Sequence, residues 1–260
     1  MKPFFQKLTS VTTFTLVLIS YLSSPIALEA KSAPIRFNPP PPPPDRGAPG
    51  NRGEGASRGE CVATDVPLTA LVPSYEQRLN QDGGERITQV WGLTSLEQPS
   101  FWFYVPYKKS FIQAIEFVLQ NKSNKTIYRT NVSIPSTPGI IRVPLKDTPV
   151  SLETDKGYHW FFKVRVACNP KQTETLDYVE GWIQRVNLDT ASRVGLKEAS
   201  PYQQAEIYAL KGIWYDTITI LAELRLASPQ DSALVEEWKN LLKLVGLEKV
   251  SVQPLVQSTR

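Results

Sequence analysis

One histidine, two cysteines and a few close-set carboxylates are the residues of this 260-residue chain whose chemistry could reach beyond packing. His159 lies between Tyr158 and Trp160. As a metal ligand or general base it would need partners at C-x-x-C or H-x-x-x-H spacing, and the chain has neither. It reads as a strand histidine, packed or at the surface. Glu153 with Asp155, and Glu174 with Asp177, could divide acid and base roles or hold a cation. Both pairs sit in polar stretches beside Lys156 and Lys171, a composition that belongs to solvated turns. No strand-to-helix elbow presents a serine nucleophile, and the glycine-rich tract lies where no strand or helix aims backbone amides at a phosphate. No catalytic residue, cofactor or metal site follows from these residues.

Aromatics are the other candidate chemistry. In Ser100 to Tyr107 the faces alternate, so Phe101, Phe103 and Val105 turn one way while Trp102 and Tyr104 turn the other. Trp102, Tyr104 and Tyr107 are candidate binding aromatics, because flat rings stack on sugars or proline. The competing reading, which we prefer, covers both faces of this strand, the second by C-terminal helices whose Trp214 and Trp238 need partners.

The elements that must position these residues begin after about sixty residues of a different character. Lys2 and Lys7 precede an apolar run from Leu8 to Leu22, small residues follow at Ala27 and Ala30, and then come six prolines, Pro39 to Pro44. This order predicts a signal peptide over 1–30, favoured over an uncleaved anchor because the run is interrupted by Thr and Ser and is shorter than the ~20 apolar residues a span needs. Ala30 is the preferred cleavage point and Ala27 a competitor. Residues 31–60 read as a disordered Pro/Gly/Arg-rich spacer. Its Arg46, Arg52 and Arg58 are offset by Asp45, Glu54 and Glu60, so no nucleic-acid partner is expected.

Cys61 and Cys168 are the only cysteines. In an oxidising compartment an isolated pair most simply forms one disulfide, which in the chain-entropy model removes about 4 to 5 kcal/mol of unfolded-state freedom; two buried thiols are the other reading. Residues 61–188 hold eight short apolar runs with turn residues between them, at Leu68 to Val72, Gln89 to Leu93, Ser100 to Tyr107, Gln113 to Gln120, Thr126 to Ile134, Gly139 to Pro144, Tyr158 to Cys168 and Tyr178 to Val186. They predict an antiparallel β-sandwich, immunoglobulin-like in architecture. Over 189–260 the period lengthens and three helices are expected, from Ser200–Pro201 to Gly212, from Trp214 to Leu226 and from Ser232 to Val245, packed on the β domain. In the tail either a last extended segment through Val250 and Val252 or a frayed end is expected.

Ala205, Tyr208, Gly212, Trp214, Thr217, Leu224 and Pro229 together resemble one tetratricopeptide repeat, and a lone repeat forms no peptide groove. The whole mature chain resembles the cyanobacterial family called domain of unknown function 928. The resemblance rests on RGAPGNRGEGASRGEC (Arg46 to Cys61), LTALVP (Leu68 to Pro73), PSFWFYVPY (Pro99 to Tyr107), EGWIQRV (Glu180 to Val186) and AEIYALKGIWYDTITILAELR (Ala205 to Arg225). It implies an exported protein and carries no catalytic residue with it.

Two classes of role stay open: a non-enzymatic envelope module that binds protein or polysaccharide, and a hydrolase of a cell-wall or extracellular polymer using a carboxylate pair that no motif marks. The hydrolase needs two carboxylates converging in a cleft, the module an exposed aromatic or apolar patch. Export has a direct check. N-terminal sequencing of the mature protein is expected to start between Leu28 and Ala33, and recovery of intact Met1 would refute cleavage.

Overall fold

Large apolar side chains alternate along most strands, and this decides which face each strand turns inward. The computed structural model describes residues 34–40, 50–53, 66–78, 86–169 and 173–256. Among them are nine strands: β1 (Thr69–Ala70), β2 (Ser74–Arg78), β3 (Arg86–Thr94), β4 (Ser100–Val105), β5 (Ile112–Asn121), β6 (Thr126–Asn131), β7 (Gly139–Pro144), β8 (Gly157–Val166) and β9 (Thr175–Arg185). They form a three-stranded sheet, β1-β4-β7, and a six-stranded sheet, β2-β3-β9-β8-β5-β6. The two pack through the inward rows: Phe103 stacks on Phe162 at 4.0 Å, Phe101 meets Phe117 at 4.8 Å, and Trp160 lies 5.6 Å from Phe103.

The expected mainly-β chain is found as two sheets, and one pairing departs from the antiparallel pattern expected. β3 runs parallel to β9, with Trp91 opposite Trp182 and Thr94 opposite Arg185. β2 was not expected because its sequence, SYEQR, has no apolar alternation; its partner β3 supplies the pairing. Pro106 has no N–H to donate and ends β4 at Val105, short of the expected Tyr107.

Five helices follow: α1 (Thr190–Glu198), α2 (Pro201–Leu210), α3 (Trp214–Ala227), α4 (Ser232–Leu244) and α5 (Glu248–Ser251). Three of them were expected. Ser200 and Gln203 close a capping box at the start of α2 with Pro201 at its first position. Gly212 and Gly246, at φ +71° and +74°, end α2 and α4. α1 lacks an apolar stripe, and its start depends on Asp189, whose carboxylate accepts from Ser192 N–H. The tail departs from the expected strand: Val250 lies in α5, and only Leu255 pairs, with Ile140 of β7.

Helix α3 is bonded into both sheets. Trp214 Nε1 donates to the Leu71 carbonyl at 2.7 Å, Trp102 Nε1 to Thr219 Oγ1 at 3.0 Å, and Trp160 Nε1 to Tyr215 Oη at 2.8 Å. Tyr215 in turn donates to the Trp182 carbonyl. Asp216 accepts from Thr94 Oγ1 at 2.5 Å and from both the N–H and the hydroxyl of Ser95, at the end of β3.

The expected free spacer is corrected for its described parts. Ile35 is buried and donates its N–H to Glu237 Oε1 at 2.7 Å, Phe37 packs edge-on against Trp214, and Asn38 N–H donates to the Ala209 carbonyl. Further on, Asn51 exchanges backbone hydrogen bonds with Glu180 of β9, while buried Arg52 donates to the Val245 carbonyl at 2.6 Å. Residues 34–40 and 50–53 are thus a strap across helices and sheet. A Cβ on Gly53, at φ +112°, would fall 1.9 Å from the Leu68 carbonyl oxygen. The rest of the expected spacer, Arg46, Arg58 and the signal segment lie outside the described residues.

Burial raises the Asp216 pKa above the ordinary carboxylate value, against the lowering effect of the Ser95 and Thr94 hydrogen bonds. A raised folded-state pKa gives stability that is complete below the unfolded value and is lost as pH rises through the folded one. Asp216→Asn is therefore expected to flatten the stability profile over that window, read as urea midpoints against pH. A profile parallel to that of the parent chain would show that the Asp216 pKa is the same in the folded and unfolded states.

Candidate functional site

Strands β8 and β9 alternate so strictly that one row of each faces the core and the other faces away. The inward rows are Trp160, Phe162 and Val164 on β8, and Val179, Gly181 and Ile183 on β9. Opposite them, His159, Phe161 and Lys163 on β8 stand beside Trp182, Glu180 and Tyr178 on β9. β5 extends this outer face with Val118 beside Phe161 and Glu116 beside Lys163, and β6 adds Arg129 beside Val118.

The outer face has an ordered interior and an open end. His159 stacks on Trp182 with centroids 4.5 Å apart and rings within 7° of parallel, and it meets Phe161 at 4.2 Å. Its Nε2 lies 2.9 Å from Glu180 Oε2 without meeting hydrogen-bond geometry. Lys163 Nζ sits 5.3 Å above the Phe161 ring. Arg129 Nη1 contacts both Glu116 oxygens at 2.8 Å. Tyr178 is 40% exposed, and Leu176 beside Arg165 is 53% exposed. The result is a face with rings, cations and carboxylates at strand spacing, suited to stacking and hydrogen bonding with an extended ligand.

Of the two readings of the Ser100 to Tyr107 aromatics, the structure has the preferred one, covered faces, and the candidate binding role of Trp102, Tyr104 and Tyr107 is corrected. Trp102 is 2% exposed, with α3 on it through Thr219 and the Arg142 guanidinium 5.9 Å from its ring. Arg142 also pairs with Glu223 of α3. Tyr104 is buried, which raises its pKa. Tyr107 is buried and donates to Asp177 Oδ2. These three rings are core, as the reading with both faces covered expected. The period-2 alternation of Tyr178, Glu180 and Trp182 was the available signal for the outer face.

The carboxylate pairs also part company. Asp177 is tied to Tyr107 with its pKa raised by burial, while Glu174 is exposed. Glu153 lines a cleft of about 510 Å³ with Lys122, Lys156, Asn121 and Ser123, and Asp155 occupies a turn at φ +60°. A coupled acidic pair arises instead on the helices. Burial, then the neighbouring Glu237, raises the Glu206 pKa. Both Glu237 oxygens are committed, Oε1 to the Ile35 N–H and Oε2 to the Tyr202 hydroxyl, whose pKa burial and Glu237 push upward. Among the described residues, no group of three or more His, Cys, Asp or Glu could hold a metal ion. Gly55-Ala56-Ser57-Arg58-Gly59 spells G-x-S-x-G, a match not picked out in the sequence; it sits in the Pro/Gly/Arg tract and outside the described residues.

Cys168 lies two residues beyond β8, packed against the core, and Cys61 is outside the described residues. No helix among the described residues is long and apolar enough to cross a membrane. A family model described as Domain of Unknown Function (DUF928) matches residues 53–255. No curated protein matches the chain.

Proposed function

We propose that this chain, which belongs to the family of the Domain of Unknown Function DUF928, is an exported, non-enzymatic binding module of the cell envelope that recognises polysaccharide through the outer face of its six-stranded sheet. The observation that carries this reading is the open end of that face. Tyr178 is exposed, with Phe161, Lys163, Glu180 and Glu116 at successive register positions around it. A flat sheet holds such groups at ~4.7 to 4.9 Å between strands, which lets an extended chain of sugar rings meet a ring and several polar groups together. Export is supported by the basic, apolar and small-residue order of the first thirty residues. The reading places the protein in the periplasm or outside the cell, tied by a Cys61–Cys168 disulfide, the bond an isolated cysteine pair most simply forms in an oxidising compartment.

Affinity electrophoresis of the full mature chain through gels containing extracted envelope polysaccharide tests the reading. Tyr178→Ala and Lys163→Glu, both outside the packed interior, are expected to weaken retention about tenfold or more, or at least ~1.4 kcal/mol. Unchanged retention in both variants would refute the face. Retention of an envelope protein in place of polysaccharide would refute the ligand class and keep the surface.

Non-reducing peptide mapping is expected to link the Cys61 and Cys168 peptides, and recovery of two alkylated thiols without reductant would refute the bond.

A further inference from the structure

At one end of the six-stranded sheet a cleft of about 510 Å³ opens between the β5–β6 turn and the loop that leads into β8. That volume lies within the ~300 to 1,000 Å³ of ordinary ligand sites. Lys122 and Ser123 line it from the turn, Glu153 and Lys156 from the loop, and Ile127 and Val150 add apolar surface. Both walls are fixed by hydrogen bonds of their own. Asn121 Oδ1 accepts from the Ser123 and Lys125 N–H groups at 3.0 and 3.1 Å. In the loop, Gln98 Nε2 donates to the Thr148 and Val150 carbonyls at 2.8 and 3.1 Å, and Arg185 Nη1 to the Leu152 carbonyl at 2.7 Å. A cleft held in this way loses little conformational entropy when a ligand enters.

An acid and a cation three residues apart line the same cleft without meeting. Lys156 N–H donates to the Glu153 carbonyl across a turn in which Asp155 has φ +60°, yet neither the Glu153 nor the Lys156 side chain forms an ion pair among the described residues. Tyr158 also lines the cleft and is only 4% exposed. Its hydroxyl accepts from the Glu153 N–H at 2.9 Å, and its own O–H has no acceptor among the described residues. Lys122 adds a second cationic side chain, whose Cε lies 3.6 Å from where a Cβ on Gly157 would stand. The cleft therefore offers a cation, an acid and a buried hydroxyl donor to whatever occupies it.

We infer that this cleft binds an acidic sugar unit, a uronate. Its carboxylate accepts from the Lys156 ammonium, while its ring hydroxyls donate to Glu153 and accept from Tyr158. The C–H face of the ring covers the apolar surface of Ile127 and Val150. A simple inorganic anion would meet Glu153 as a like charge, and a neutral sugar would leave Lys156 without a counter-charge. A uronate answers both. Tyr178 stands beside Lys163 on the outer sheet face, six residues along β8 from Gly157, which is about 20 Å of strand. The cleft is thus separate from that face and does not depend on what the face binds.

The test follows the backbone amide signals of Ser123, Lys156 and Gly157 in the full mature chain labelled with ¹⁵N. Sodium glucuronate is titrated and compared with glucose and with sodium chloride at equal ionic strength. Glucuronate is expected to shift the three signals together and saturably, with glucose and chloride at least tenfold weaker. Glu153 and Lys156 are exposed, so their replacement leaves the packed interior intact. Lys156→Ala is expected to weaken the response at least tenfold and Glu153→Gln about threefold. Lys146→Ala, at an exposed lysine outside the cleft, and Tyr178→Ala are expected to leave it unchanged. No saturable shift, an equal response to glucose or chloride, an unchanged response in Lys156→Ala, or an equal loss in Lys146→Ala would overturn the proposal. Loss in Tyr178→Ala with both cleft variants unchanged would move the uronate to the outer sheet face and overturn the cleft.

Discussion

The rest of the structure depends on the first turn of α3, where Trp214, Tyr215 and Asp216 each place a polar group into the sheets. Three tryptophans lie almost without solvent around this turn, and an indole buried with an unpaired N–H costs about 1 to 3 kcal/mol. α3 provides the acceptors for Trp102 and Trp160, and Leu71 provides one for α3's own Trp214. The helix and the sheets therefore satisfy each other's buried donors, and neither could be removed without leaving polar groups stranded in an apolar core. Close approach makes this possible. A Cβ on Gly92 would lie 3.1 Å from Trp214 Cβ, and one on Gly181 would fall 2.5 Å from Trp160. Both glycines sit on the two strands that pair in parallel.

The same constraint explains the strap. Parallel pairing of β3 with β9 extends over Trp91 to Thr94 only, and backbone beyond it needs partners. Gly50 and Asn51 supply them, donating to the Thr88 and Glu180 carbonyls while Glu180 N–H donates back. Arg52 then carries the link across to the end of α4 at Val245. The Gly-Asn-Arg-Gly run is in this way a structural fastener between layers. Its arginine is turned inward and is not available to an anionic surface.

The proposed recognition surface lies, among the described residues, away from the sheet interior and the strap. The three-stranded sheet is covered on its second side by α3, and the central tryptophans of the six-stranded sheet are buried. The open ground is the end of the β8–β9 face around Tyr178, Lys163 and Glu116. There the aromatic stack formed by Trp182, His159 and Phe161 makes a rigid floor. His159 belongs to that floor. Rings fix it on two sides and Glu180 lies alongside, so its place is explained by packing rather than proton transfer.

Local pattern by itself determined most strands, the α2, α3 and α4 helices, and the burial of Phe101 and Phe103, because period and caps are written within a few residues of each element. It also determined that Trp214 and Trp238 needed cover, since large rings cannot stay exposed on short helices. What only the tertiary structure decided were features whose partner lies far along the chain. β2 is a strand because β3 pairs with it, and β3 is parallel to β9 across some ninety residues. Trp102 and Tyr104 form one alternating row that pattern alone leaves open to either cover or solvent, and they are core, as is Tyr107, because segments distant in sequence close over them. Arg52 and Asn51 read as solvated linker because glycine and proline surround them, and long-range hydrogen bonds made them part of the fold. The candidate face was legible as alternation and not as exposure. Which side of a sheet meets solvent depends on which other layer reaches it first.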